Sequence, residues 1–132
     1  MEISAIVKSS QSNHEVAVRT GPTTQWLAVP PKSAGKGSAI NGGEFLMLAL
    51  ATCYCNDLYR EAERLHIPLE SVEVEASAQF AGIGLAATNV RYRASVSSPA
   101  SPSAIADLLR QTDAVAEVHN TIRAGVAVEL VK

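Results

Sequence analysis

The sequence predicts an α+β fold in which antiparallel sheet packs on helices. Three observations point there: one long capped helix over residues 41–65, strands with alternating polarity on both sides of it, and an element order of strands, helix, hairpin, helices, strand. That order lacks the regular βαβ alternation of a parallel sheet. At 132 residues the chain has the length of one domain, 1–132, and no internal repeat or linker interrupts it.

The first strands fall over residues 3–8, 14–20 and 24–29, separated by Ser/Asn and Gly21-Pro22 turn signals. Residues 30–40, rich in Pro, Gly, Ser and Lys, form a loop into the helix. Asn41 is its N-cap, and Glu44 three residues later closes a capping box. Phe45 to Ala51 is apolar all round, so this half of the helix needs cover on every side, which a second copy of a small chain supplies well. From Asn56 onward the helix is amphipathic, and Pro68 forbids its continuation.

Beyond it, Val72, Val74, Ala76, Ala78 and Phe80 alternate with Glu73, Glu75, Ser77 and Gln79. Val90, Tyr92, Ala94 and Val96 form the apolar phase of a second strand. A hairpin closing over 81–85 sets Val74 opposite Tyr92, Glu75 beside Arg91 and Glu73 beside Arg93. Ser101 caps a further helix with Pro102 in its first position. A short helix covers 113–123, Gly125 ends it, and 126–131 closes the chain as a strand.

The balance of 11 basic and 13 acidic residues gives a net charge of −2, which offers nothing to steer the chain to nucleic acid. No window reaches the roughly 18 apolar residues of a membrane span, and Met1-Glu2-Ile3-Ser4 lacks the features of a signal peptide. The expected location is therefore cytoplasmic, with no membrane or nucleic-acid partner. The only two cysteines, Cys53 and Cys55, both lie on the long helix. Two residues apart they face about 200° away from one another, so a mutual disulfide is strained and one metal ion cannot be held by both. They read as free thiols. Each is a redox candidate, and each is also a small residue suited to helix packing.

The stretch Asn41-Gly42-Gly43-Glu44-Phe45-Leu46-Met47-Leu48-Ala49-Leu50-Ala51-Thr52-Cys53 resembles the Asn-Pro-Glu-Glu-Leu-Leu-Leu-Ala-Ala-Leu-Gly-Ala-Cys opening of the central helix in the OsmC/Ohr family of thiol hydroperoxide reductases, with the same spacing from Asn to Cys. Arg64-Leu65-His66-Ile67-Pro68-Leu69-Glu70 before an alternating strand, and Asn120-Thr121-Ile122-Arg123 before the last one, are similar as well. The resemblance covers roughly residues 35–132. It implies an OsmC-like fold, with antiparallel sheets around a long central helix in an intertwined homodimer. It also implies reduction of a small organic hydroperoxide by an attacking cysteine, regenerated by thiol.

Carried over by position, Cys53 matches the attacking thiol. The resolving segment falls on Ala116-Glu117-Val118-His119, so Ala116 stands in place of the second cysteine. Gly43 occupies the position of the family glutamate, with Glu44 beside it; Arg19 lies in a strand without a surrounding motif. His119, one helical turn from Ala116, is the candidate base or ion-pair partner for Cys53, while Asp57 at i+4 raises the thiol pKa and Arg60 counters it. The expected site is thus Cys53, His119 and Glu44, with no cofactor or metal. An external thiol, or Cys55 of another subunit, would reduce the sulfenic acid. The alternative is a non-catalytic dimer that binds a small apolar ligand or senses oxidation, or one that is purely structural.

Overall fold

A computed structural model describes all of residues 1–132, which group into two compact units, Met1–Phe45 and Leu46–Lys132. The first unit is an antiparallel meander of β1 (Ile3–Ser9), β2 (His14–Thr20) and β3 (Thr23–Leu27) in that spatial order. Ile3 pairs with Thr20, Ser9 with His14, and Thr20 with Thr23. The tight β2–β3 turn is possible because Gly21 takes φ 54°, which side chains resist, and Pro22 follows at its own fixed φ. The third strand ends two residues before the predicted limit.

The long helix α1 (Gly42–Arg64) starts in the first unit and runs on through the second. Its start is the predicted capping box: the Glu44 N–H donates to Asn41 Oδ1 at 2.8 Å, and the Asn41 N–H donates to Glu44 Oε1 at 3.0 Å. Its apolar first half is less covered than its composition asks for, with Leu48 57 % exposed.

In the second unit, the α1 residues Tyr54, Leu58 and Ala62 pack with Leu108 and Ala116. The apolar side chains Val72, Val74, Tyr92, Ala94 and Val96 of the β4 (Ser71–Gln79) and β5 (Thr88–Ser97) hairpin lie against them. The sheet therefore has one face on helix, as the alternation requires.

The hairpin register differs from the predicted one by two residues. Val74 pairs with Ala94, Glu75 with Arg93, Ala76 with Tyr92 and Ser77 with Arg91. The connection is longer than the Gly-containing stretch suggests: the strands stop at Gln79 and Thr88, and an irregularity between Ser77 and Gln79 absorbs an extra residue. Asn89, at φ 51°, sits beside it and donates from Nδ2 to Gln79 Oε1 at 2.8 Å.

Helix α2 (Pro102–Val115) is capped by Ser101, whose Oγ accepts from the Ala104 N–H at 3.2 Å. It takes in Asp113, predicted to open the next helix. The break falls at Ala116, extended at φ −70° and ψ 104°, and α3 (Glu117–Ala124) follows. Gly125 ends α3 in the left-handed conformation at φ 62°, as predicted.

The predicted last strand does not form within the chain. Residues 126–132 have strand alternation but no paired strand, and Val128 and Leu130 are almost fully exposed. Alternation specifies a face, and a strand also needs an edge to bond to. No helix is long and apolar enough to cross a membrane.

Candidate active site

Cys53 lies in the middle of α1, partly buried, and its Sγ donates to Asp57 Oδ2 at 3.7 Å, one turn further on. Asp57 is itself buried and paired with Arg60 at 2.8 Å. On the other side of the thiol is the start of α3. Burial pushes the Cys53 pKa up, and the charge and hydrogen bond of Asp57 push it further; the backbone N–H groups of Val118 and Glu117 pull it down. The two opposing influences come from different elements. A carboxylate on its own helix keeps the proton on sulfur, and the first turn of α3 favours the thiolate.

The helix start that acts on Cys53 is thus not that of α1, whose field fades long before the cysteine. It belongs to the short helix whose cap is Ala116, itself fully buried and without a side-chain cap bond.

His119 occupies the next position along α3. It is 3 % exposed, and neither ring nitrogen has a hydrogen-bond partner. Its ring lies edge-on to Tyr92 at 4.4 Å and tilted to Tyr54 at 5.8 Å, and the two tyrosines meet each other at 4.7 Å. Burial holds its pKa below the usual histidine value, with Arg123 adding to the effect and Asp113 and Asp57 opposing it. His119 does not figure among the groups that shift Cys53.

A folded-state histidine pKa below the unfolded value means that the unfolded chain binds more protons in the interval between them. Stability should therefore fall as pH drops from about 6.5, the ordinary histidine value, towards the folded-state pKa. His119→Phe removes the titration and fills the same aromatic cage. Its urea midpoint should be at least equal to that of the parent at neutral pH, and it should lose less stability on going to mildly acidic buffer. Equal losses in the two proteins would exclude His119 as the source.

Glu44 is engaged in the capping box nine residues before Cys53, so any part it takes in chemistry requires that cap to open. Arg19 pairs with Glu2 at 3.5 Å in the first unit. Cys55 is a partly buried free thiol.

Sequence reading did not find four residues of this site: Tyr54, Tyr92, Asp113 and Arg123. The Tyr92 hydroxyl donates to Asp113 Oδ1, and Arg123 Nη2 donates to the same oxygen at 2.7 Å. The Tyr92 hydrogen bond, followed by the Arg123 contact, holds Asp113 below the ordinary carboxylate range. Burial, with the Asp113 charge, pushes Tyr54 up to about 12 and raises Tyr92 as well. Both tyrosines stay neutral. The only local hint was Tyr54 itself, a large polar-tipped residue between the two cysteines.

A free thiol on a central helix, faced by the first turn of a second helix and backed by an antiparallel hairpin, defines a class of α+β thiol proteins. Within it, the chain belongs to the OsmC-like protein family, whose model matches residues 35–131. An organic hydroperoxide resistance protein OsmC from Legionella pneumophila is similar in structure, with TM-score 0.64 and 21 % identity over 98 % of this chain and 95 % of that one. An OsmC-like protein from Mycoplasma pneumoniae aligns with TM-score 0.63 and 18 % identity, over 92 % of this chain and 86 % of that one. An organic hydroperoxide resistance protein from Elizabethkingia anophelis gives TM-score 0.63 and 19 % identity, covering 98 % and 94 %. At such identities the likeness is one of fold. No curated protein matches the chain in sequence.

Proposed function

We propose that the chain is a thiol-dependent reductase of organic hydroperoxides that works through Cys53. The observation that carries this reading is a partly buried free thiol in the middle of α1, where the Val118 and Glu117 N–H groups of α3 pull its pKa down against the burial and the Asp57 carboxylate that on balance hold it above the ordinary thiol value. The names of the structural relatives, organic hydroperoxide resistance proteins, point the same way.

The thiol first loses its proton to solvent. The thiolate then attacks one peroxide oxygen; the S–O bond forms as the O–O bond breaks, and the departing alkoxide takes up a proton to leave as alcohol. Sulfur is oxidised by two electrons to sulfenic acid, and the peroxide is reduced by the same two. Ala116 supplies no resolving thiol, so two equivalents of an external thiol return Cys53 to its reduced form with release of water and a disulfide. His119, closed in by two aromatic rings, is held neutral on α3, and Glu44 serves the site by starting α1.

The working unit in this reading is a homodimer. The exposed alternation of Val126, Val128 and Leu130 and the exposed Leu48 are suited to a second copy of the chain, which would supply the strand edge that residues 126–131 lack.

The test is the rate of thiol loss when reduced protein meets cumene hydroperoxide, with and without a dithiol reductant. Wild type should react well above a free thiol and recycle, and Cys53→Ser should fall to the background rate. A wild-type rate no faster than that of a free thiol would end the reductase reading in favour of a dimer that binds or senses. Light scattering on the same sample measures its mass, and a stable monomer would refute the dimer.

A further inference from the structure

Two sets of contacts hold α3 to its neighbours, and its cap residue Ala116 packs with Tyr54 and Leu58 of α1. Arg123, in its last turn, reaches back to Asp113 of α2, with Nη2 donating to Oδ1 at 2.7 Å and Nη1 to the main-chain carbonyl at 3.4 Å. Asn120 Nδ2 closes the same corner by donating to the Ala114 carbonyl at 3.1 Å. The second set is aromatic: the Tyr92 ring meets His119 at 4.4 Å, while its hydroxyl donates to the Asp113 oxygen that also receives Arg123. Tyr54, next to Cys53 on α1, meets both rings, and its hydroxyl donates to the Leu109 carbonyl of α2 at 2.7 Å.

An eight-residue helix has little stability of its own, so its direction is set by what holds it. Here the holding groups come from α1, α2 and β5, and Tyr92 belongs to both sets. We propose that Arg123, Asp113 and Tyr92 are positioning residues for Cys53, clamping α3 so that its first turn stays packed on α1 beside the sulfur. None of the three touches the sulfur. They act on it through the angle at the α2–α3 corner. The proposal deepens the reading of Cys53 as the reactive thiol and rests on it for any consequence in peroxide reduction, though its claim concerns the thiol alone.

The experiment is the pH dependence of alkylation by iodoacetamide in the full-length reduced protein, on a Cys55→Ser background so that one thiol reports. Arg123→Gln should move the inflection to higher pH and slow alkylation near neutral pH by about three- to tenfold, since each tenfold loss of thiolate corresponds to one pKa unit. Arg123→Lys, which keeps the charge and loses the fork, should fall between Arg123→Gln and the parent. Tyr92→Phe retains the ring, changes no charge and removes the hydroxyl that bonds Asp113. A shift in the same direction there separates positioning from a direct charge effect. Should Arg123→Gln fail to fold by circular dichroism, the other two variants decide. Profiles superimposable on the parent in Tyr92→Phe and Arg123→Lys would overturn the proposal. Shifted profiles in a protein that does not reduce peroxide would leave the clamp standing and remove the reductase reading.

Discussion

Leu58→Ala should lower the stability of the second unit by about 3 kcal/mol, within the 2–5 kcal/mol span of fully buried leucine truncations. Leu58 is completely inaccessible and packs among Tyr54, Ala62, Leu108 and Ala116, so its removal leaves a void at the junction of α1, α2 and the start of α3. That amount is a large fraction of the 5–15 kcal/mol that holds a typical domain together. For a chain of this length it should lower the melting temperature by roughly 10 °C. Differential scanning calorimetry checks it, with Leu48→Ala as the control. Leu48 is mostly exposed in the single chain, so its truncation should cost under about 1 kcal/mol of chain stability while weakening any dimer that covers it. A Leu58→Ala protein that melts with the parent would mean this junction is not the core.

Asp57→Asn should make Cys53 more reactive at neutral pH. The Asp57 carboxylate accepts the thiol proton in a hydrogen bond and sets a negative charge beside the sulfur, and both effects favour the protonated form. The amide has the same shape and no charge, so the thiol pKa should fall and the thiolate fraction at neutral pH should rise. Alkylation there should speed up several-fold, on the order of tenfold for each pKa unit lost. Well above both pKa values the advantage should vanish or reverse, since a less basic thiolate is a weaker nucleophile. Arg60→Gln gives the opposite sign: it strips Asp57 of its partner at 2.8 Å and leaves the carboxylate unscreened. If Asp57→Asn and the parent share one pH profile, Asp57 does not hold the proton on Cys53.

The fold was legible wherever local chemistry decides local structure. The Asn41–Glu44 capping box, the Ser101-Pro102 start and the Gly125 stop are formed by neighbours in sequence, and each formed where it was read. The β4–β5 register was not decided locally. Either pairing puts Val72, Val74, Tyr92 and Ala94 on the core face, and a two-residue slip changes no face. The choice was made by the bulge near Gln79 and the length of the connection, which no charge pattern encodes. The Glu75–Arg93 pair that results is as complementary as the predicted Glu75–Arg91 pair would have been.

The site divides in the same way. Cys53 and its Asp57 neighbour lie one turn apart on one helix, so their contact follows from helical geometry. The Tyr92, Asp113 and Arg123 cluster joins a strand to two helices across 10 to 31 positions of sequence, and only the folded chain brings it together. His119 illustrates the difference. Its position one turn after Ala116 on a helix was legible from the sequence; its enclosure by two aromatic rings, which leaves both nitrogens without partners, was not.

The two cysteines stand on either side of Tyr54 on one helix, with their sulfurs about 200° apart. No other thiol exists in the chain to meet an oxidised Cys53 on its own side. On the reductase reading, where Cys55 of a second copy does not reach it, the lifetime of the oxidised state is set from outside, by the concentration of small thiol that diffuses in. In thiol-rich surroundings the chain cycles. When thiol is scarce it retains the oxygen atom it has taken, and the oxidised fraction becomes a record of how much peroxide has passed.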